Sequence, residues 1–473
     1  MPASKIESSA PDPTGFASDV ALYAKRRKIY QREAHGKFQQ LRTVTLFVLA
    51  GFFLAVPWFN WHGRQAVWFD LPQRKFHLVV LTFWPQDFIY LSWLLIIAAM
   101  SLLFFTTLAG RLWCGYACPQ TVWTKFYMWI EWLTEGDRNA RIRLDRGPWT
   151  RDKLVRGAAK HFLWLVLAFA VGISFVGYFD PLRSLLSRLA TLQLTVTEMI
   201  AVAVASLALY FDAGFMREQI CLYACPYARF QGAMFDTSTL TIFYDRERGE
   251  PRGHRNRKDA GKGLGDCVDC HVCVDVCPTG IDIRNGTQYQ CIGCAACIDA
   301  CDEVMDKVGS SRGLVRYATE ESLAGKEVRI LRPRLIAYGS VLTIMIVAFT
   351  YGLSQRIPLR LDILRDRARV FRVTSEGLIE NVYTLKIMNM DEQDHSYRIG
   401  LADGHELRLV APATVFVQAG QIAAVPVRLQ AEPDEHEHER RARQVTFTVQ
   451  ADDQARLAVR GESRFLMPAG GST

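Results

Sequence analysis

No cysteine precedes Cys114 and none follows Cys301. The C-terminal part of the chain therefore carries no disulfide and no thiolate metal site. All twelve cysteines fall into motifs described below, which leaves none for a disulfide framework and points to a reducing compartment for the middle of the chain. No G-x-G-x-x-G follows a predicted strand, so no dinucleotide or flavin fold is indicated. No two apolar runs carry facing histidines. His161 alone lies near one, which removes a bis-histidine haem relay. Residues 1–40 lack an apolar h-region, so no secretory signal peptide is expected. The net charge of +8 would suit nucleic acid, but the basic residues cluster beside apolar runs, where membrane lipid is the expected partner and nucleic acid is not.

What is present centres on two cysteine runs. Cys267, Cys270, Cys273 and Cys277 stand at C-x2-C-x2-C-x3-C with Pro278 behind them. Cys291, Cys294, Cys297 and Cys301 repeat that spacing with Asp302 in the proline's place. This is the ligand pattern of a two-cluster ferredoxin, in which the fourth cysteine of each run reaches the other cluster. The expected ligand sets are Cys267, Cys270, Cys273 and Cys301 for one [4Fe-4S] cluster and Cys277, Cys291, Cys294 and Cys297 for the second. Structural zinc is normally held by C-x2-C pairs, not by triplets each trailed by a fourth cysteine.

Five apolar runs, at about 43–59, 88–109, 162–179, 192–211 and 335–353, are each long enough to cross a hydrocarbon core of about 30 Å as a helix. Lys and Arg are dense up to Arg42 and in 110–160 but sparse in the two intervening loops. The positive-inside rule then puts the N-terminus, 110–160 and 212–334 in the cytoplasm and the C-terminus outside. The expected domains are a basic N-terminus at 1–42 and a four-helix membrane domain at 43–211. A cytoplasmic segment at 212–334 holds the ferredoxin-like domain (260–305), followed by a fifth span at 335–353 and a periplasmic β-sandwich at 356–473. In the loop 110–160, QTVWTKFYMWIEWL suggests an interfacial helix. Residues 246–262 read as a basic linker near anionic lipid.

Beyond 356 the period changes to two. VYTLKIMN, YRIGL, LRLVA, TVFVQA, AVPVRLQA, QVTFTVQ and RLAVRG are short alternating segments, which suggests an immunoglobulin-like sandwich without the Cys…Trp…Cys core. His436 and His438 lie in an acidic turn and read as a solvated loop rather than a metal site. Glu198 stands in the fourth apolar run, where a functional carboxylate and one that snorkels to the surface are both open readings.

The second and fourth runs end on one phrase, WCGYACPQ and ICLYACPY, which suggests a duplicated helical hairpin. Cys114 and Cys118, and likewise Cys221 and Cys225, stand at i and i+4, a spacing that puts both sulfurs on one helix face. Pro119 and Pro226 interrupt helical hydrogen bonding just beyond. If the halves pack symmetrically the four cysteines converge, and four soft thiolates favour Cu(I), zinc or another iron–sulfur centre.

Together the basic N-terminus, the two C-x3-C-P motifs, the ferredoxin insert, the fifth span and the β-domain resemble the FixG/RdxA/CcoG family of membrane polyferredoxins. These are accessory proteins in the assembly of cbb3-type cytochrome c oxidase. The resemblance implies a bacterial inner-membrane oxidoreductase that reduces Cu(II) to Cu(I), with Cys114, Cys118, Cys221 and Cys225 as the copper site. It implies a separate cytoplasmic electron donor, a copper chaperone or copper-transporting ATPase, and the oxidase assembly machinery as partners. A homodimer is left open. Two other classes stay open as well: a quinone/ferredoxin electron conduit serving a respiratory reductase, and a non-enzymatic assembly scaffold.

Overall fold

The computed structural model describes residues 28–254, 263–326, 331–366, 370–402, 407–432 and 442–467. His436, His438, the start of the basic N-terminus and the end of the basic linker lie outside them. The chain forms two compact units, Met1–Val80 with Ile89–Ile346, and Leu81–Phe88 with Val347–Thr473.

In the first unit, α1 (Lys37–Ala55) begins behind Gly36 and runs straight into its apolar stretch. A hairpin that the sequence reading did not foresee follows, β1 (Val67–Asp70) paired antiparallel with β2 (Lys75–Leu78). The helix α2 (Phe88–Ala109) contains no charged residue and ends at Gly110, whose φ of +56° turns the chain. Next come α3 (Leu112–Tyr116), α4 (Pro119–Glu135) and α5 (Arg138–Arg146). The aromatic segment of the 110–160 loop is thus α4, and it packs one face on the helix that follows, with Tyr127 wholly buried against Trp164.

That helix is α6 (Arg151–Val176), which starts well before the expected run because its basic first turns are helical and capped: Lys153 N donates to Thr150 Oγ1 at 3.2 Å. After α7 (Leu182–Ala190) comes α8 (Val196–Phe211). Here Glu198 has a structural role. Its amide donates to Thr195 Oγ1 at 3.3 Å while its Oε2 accepts from Thr195 N at 3.0 Å, a capping box that closes the helix start. The helices α6 and α8 meet through small residues, and a Cβ on Gly172 would lie 2.3 Å from Ser206 Oγ. Counting the turns that extend them, helices over Lys37–Trp58, Pro85–Ala109, Arg151–Val176, Val196–Met216 and Pro333–Ser354 are long and apolar enough to cross a membrane.

A buried ion network ties the helix ends together. Glu131, 3% exposed, accepts from Arg141 Nη1 at 3.0 Å and from Arg217 Nη2 at 2.6 Å. Burial alone would raise its pKa, but Arg217 and then Arg141 hold the carboxyl below the ordinary glutamate range. Glu131→Ala would leave two guanidinium groups unpaired, so we expect it to lose about 3–5 kcal/mol. A fall in the unfolding midpoint of the purified protein in detergent checks this.

The cysteine runs follow α9 (Pro226–Met234) and are framed by an antiparallel pair, β3 (Thr241–Tyr244) and β4 (Val315–Ala318). Between these strands lies α10 (Ala296–Val308), which carries Cys297 and Cys301. Its Asp299 caps α1 from outside: Oδ2 accepts from Gln39 N at 2.6 Å and Oδ1 from Phe38 N at 3.3 Å. This carboxylate at a helix N-terminus fixes the cluster region on the first span. The last helix is α11 (Pro333–Ser354).

The second unit is a two-sheet sandwich. Its strands are β5 (Leu359–Arg365), β6 (Arg372–Val373), β7 (Ile379–Asn389), β8 (His395–Leu401), β9 (Arg408–Val410), β10 (Thr414–Val417), β11 (Ile422–Ala431), β12 (Ala442–Ala451) and β13 (Ala458–Leu466). One sheet runs β9-β11-β7-β5 with β6 on β7; the other runs β10-β8-β12-β13. Alternate residues fill the core, with Tyr383, Leu385 and Ile387 from β7 meeting Tyr397, Phe447 and Val449 from the other sheet. All seven segments expected from the alternation are strands; β5 and β6 are additional.

Candidate iron–sulfur and thiol site

Each cysteine run winds through the left-handed backbone region at matching places. Asp269 and His271 have φ of 52° and 60° in the first run; Gly293 and Ala295 have 67° and 58° in the second. Such conformations cost free energy for a non-glycine residue and are kept where loops must curl around something. The loops enclose two cavities. Cys267, Cys270, Cys273 and Cys301 line one, with Tyr244 and Arg284. Cys277, Cys291, Cys294 and Cys297 line the other, with Ile242 and Ile281, and Cys273 borders it as well. The crossed grouping thus places Cys301 with the first triplet and Cys277 with the second.

These residues fit [4Fe-4S] clusters. Burial, first of all, raises the thiols of Cys273, Cys291 and Cys301 to about 12 and keeps Cys277 and Cys297 high too. So many buried thiols in two separate fours suit a cationic inorganic core that holds them as thiolates. Cys270 is exposed, whereas none of Cys277, Cys291, Cys294 and Cys297 is, so the first cavity faces solvent and the second lies deeper. Arg284, which the sequence reading missed, is 5% exposed and binds Asp282 at 2.7 Å and Asp269 at 2.5 Å beside Cys273. Its charge disfavours loss of negative charge from the first cluster site.

The C-x3-C-P motifs differ from the expected geometry. Cys114 lies in α3, but the chain breaks at Ala117, and Cys118 is the extended N-cap of α4 with Pro119 at the first helical position. Cys221 lies in a π-helical turn, Ile220–Ala224, and Cys225 is the extended N-cap of α9 ahead of Pro226. The i, i+4 pairs therefore do not share one helix face. Proline holds the residue before it extended and starts the next helix rather than ending the last. The amides of Gln120 and Thr121 lie on the Cys118 sulfur and partly offset the burial that raises its pKa.

The four thiols nonetheless share one electrostatic neighbourhood, although among the described residues no three Cys, His, Asp or Glu side chains are grouped closely enough to hold a single metal ion. Burial raises Cys221 to about 12, and Cys118, Cys114 and Cys225 push it further in the same direction, which places all four within electrostatic reach. Burial likewise raises Cys114 to about 11 against the pull of Arg111. The Cys114 thiol donates to Gln231 Oε1 at 3.7 Å, and Gln120 Nε2 bridges the halves by donating to Arg217 O at 3.1 Å.

This thiol group stands back to back with the deeper cluster cavity. A Cβ on Gly115 would lie 2.9 Å from both Cys294 Cα and Gly293 O, and one on Gly293 would lie 3.1 Å from the Arg111 carbonyl. Cys114 packs in the same apolar cluster as Ile292 and Cys294. Arg111, 6% exposed, binds the Ala228 carbonyl and feels Cys114, Cys291 and Cys221 together. No sequence motif marks Arg111, Gln231 or Gly115; they matter only once remote segments meet. Gly115→Val would drive a branched side chain into the Cys294 backbone. We expect it to lower bound iron, read by iron analysis of the purified protein.

The chain matches a 4Fe-4S dicluster domain model over residues 216–320 and a 4Fe-4S binding domain model over residues 91–134, the segment that holds Cys114 and Cys118. Residues 349–468 match a model described as the IG-like fold at the C-terminal of FixG. The chain is 38% identical over 408 residues to nitrogen fixation protein FixG of Rhizobium meliloti, which covers 78% of each chain. Proteins RdxB and RdxA of Cereibacter sphaeroides are 39% and 40% identical, over 84% and 82% of this chain and 87% and 85% of theirs. A crystal structure of a FixG-related protein from Vibrio parahaemolyticus aligns with 28% identity and a TM-score of 0.21, covering 23% of this chain and 95% of that one. With its five apolar helices, ferredoxin-type cysteine loops and immunoglobulin-like C-terminal sandwich, the chain belongs to the FixG/RdxA family of iron–sulfur electron-transfer membrane proteins.

Proposed function

We propose that the chain is a cupric reductase of the bacterial inner membrane that supplies Cu(I) for assembly of cbb3-type cytochrome c oxidase. The observation that carries this reading is the contact of the Arg111–Gly115 segment with Gly293 and Cys294, which sets Cys114, one of four thiols within reach of one another's charge, against the deeper cluster loop. When bound, the clusters supply one-electron donors of low potential. The exposed Cys270 loop receives a soluble cytoplasmic electron donor, and Cys273, which borders both cavities, joins the first site to the second. Cys114, Cys118, Cys221 and Cys225 hold copper and, being soft ligands, favour its reduced form. One electron converts Cu(II) to Cu(I) with no bond made or broken in the protein. Cu(I) then passes to a chaperone or a copper-transporting ATPase. The basic loop and cluster segment lie in the cytoplasm and the sandwich in the periplasm, as the lysine and arginine distribution supports.

The test uses anaerobic protein in detergent, with clusters reduced and excess reductant removed, mixed with Cu(II) and a Cu(I)-specific chromophore. One Cu(I) should form per electron lost from the clusters. Cluster oxidation that leaves copper divalent would overturn the reading.

A second reading has its own support, since the 4Fe-4S binding model spans Cys114 and Cys118. In that case the four thiols hold a third cluster, and iron analysis gives about twelve irons per chain rather than about eight.

A further inference from the structure

Arg111 stands between the deeper cluster cavity and the four thiols. It is the N-cap of α3, and its carbonyl would lie 3.1 Å from a Cβ on Gly293, between Cys291 and Cys294. Its guanidinium donates to the Ala228 carbonyl on α9, the helix whose Gln231 accepts the Cys114 thiol. The side chain thus runs from the cluster loop to the second C-x3-C-P half. Along that path its charge reaches Cys291 on one side and Cys114 and Cys221 on the other.

A buried cation normally has an anion beside it. Arg111 is 6% exposed, yet among the described residues no carboxylate pairs with it, and the thiols are its foremost acidic neighbours. The outer cavity, that of Cys267, Cys270, Cys273 and Cys301, is arranged differently. There Arg284 is tied to Asp282 and Asp269, and Asp302 lies within electrostatic reach of Cys301.

Reduction adds one negative charge to a [4Fe-4S] cluster, so a fixed positive charge nearby raises its potential, whereas burial lowers it. Burial alone would make the deeper site the harder one to reduce. At an effective dielectric of about 20, a unit charge about 10–12 Å away shifts such an equilibrium about tenfold. Arg111 supplies that charge uncompensated, whereas Arg284 shares its own with two carboxylates.

We propose that Arg111 lifts the deeper cluster above the outer one in reduction potential, and so draws an electron that enters at the Cys270 loop inward to the site facing Cys114. One electron moves, the outer site is oxidised and the deeper one reduced, and no bond or proton changes. The assignment rests on the iron–sulfur part of the reading above and needs no copper.

Anaerobic redox titration of the full-length, cluster-loaded protein without copper, followed by electron paramagnetic resonance, should show two one-electron steps from the ferredoxin clusters. Cys277→Ala/Cys291→Ala removes two residues of the deeper cavity and keeps only the outer cluster, so its single step should match the lower wild-type step. Arg111→Gln should shift the upper step down about tenfold in its equilibrium, about 59 mV for one electron, with the other step and the iron content unchanged. Arg111→Lys keeps the charge and should hold the upper step close to its wild-type place. The order of the wild-type steps needs no Arg111 variant, so it decides the matter even if Arg111→Gln assembles poorly. An outer-cluster step that matches the upper wild-type step overturns the proposal. So do Arg111→Gln steps that stay in place or move together, and an Arg111→Lys shift as large as that of Arg111→Gln. With no copper present, failure of the copper reading alters none of these outcomes.

Discussion

Cys114→Ala/Cys118→Ala is expected to abolish copper reduction while both ferredoxin clusters remain. Outer partners of metal ligands typically contribute 10–100-fold, so loss of two direct ligands should cost at least about 100-fold. Cys114 lies on α3 and Cys118 on the N-cap of α4, and neither lines a cluster cavity. Iron content and the visible absorption of the clusters should therefore match wild type. The rate of Cu(I) formation after mixing pre-reduced protein with Cu(II) is the readout. Cys221→Ala/Cys225→Ala should behave alike, because all four sulfurs share one electrostatic neighbourhood.

The second large effect comes from the crossed grouping of the cysteine runs. Cys277→Ala/Cys291→Ala removes two residues that line the same deeper cavity. One cluster should be lost and about four irons kept. Cys267→Ala/Cys277→Ala removes two residues of the same sequence run but of different cavities. Both clusters should then be lost. Ligation of one cluster by each uninterrupted run gives the reverse pattern. Copper reduction should fail in both variants, because in the first the cluster facing Gly115 is the one that disappears.

The grouping of the ferredoxin-type cysteines around two cavities was the most legible. A C-x2-C-x2-C-x3-C run dictates its grouping because each short interval limits which sulfurs can meet, and the two cavities follow that grouping. The seven alternating segments were legible for the same local reason, since one face of each strand is buried. The helix geometry at the C-x3-C-P motifs was not. The i, i+4 rule assumes an unbroken helix, whereas Pro119 and Pro226 each begin a new one and leave Cys118 and Cys225 extended. Glu198 looked like a charge within a span because its capping partner, Thr195, lies just outside the helix it closes.

Residues that act at a distance in sequence left no local mark. Asp299 caps a helix that begins at Lys37, and Gly115 is glycine because Cys294 lies against it. Arg42 reads in the sequence as one more basic residue before the first span; only folding shows its guanidinium buried beside Lys125 and Cys221.

Copper K-edge X-ray absorption after a single turnover tests the location of the chemistry most directly. Wild-type protein should show Cu(I) in a sulfur shell, and Cys114→Ala/Cys118→Ala should lose that shell while its iron remains at about eight per chain. Copper held by nitrogen and oxygen alone, identical in both proteins, would contradict reduction at the four thiols. So would about four additional irons in the wild type that vanish with the two cysteines.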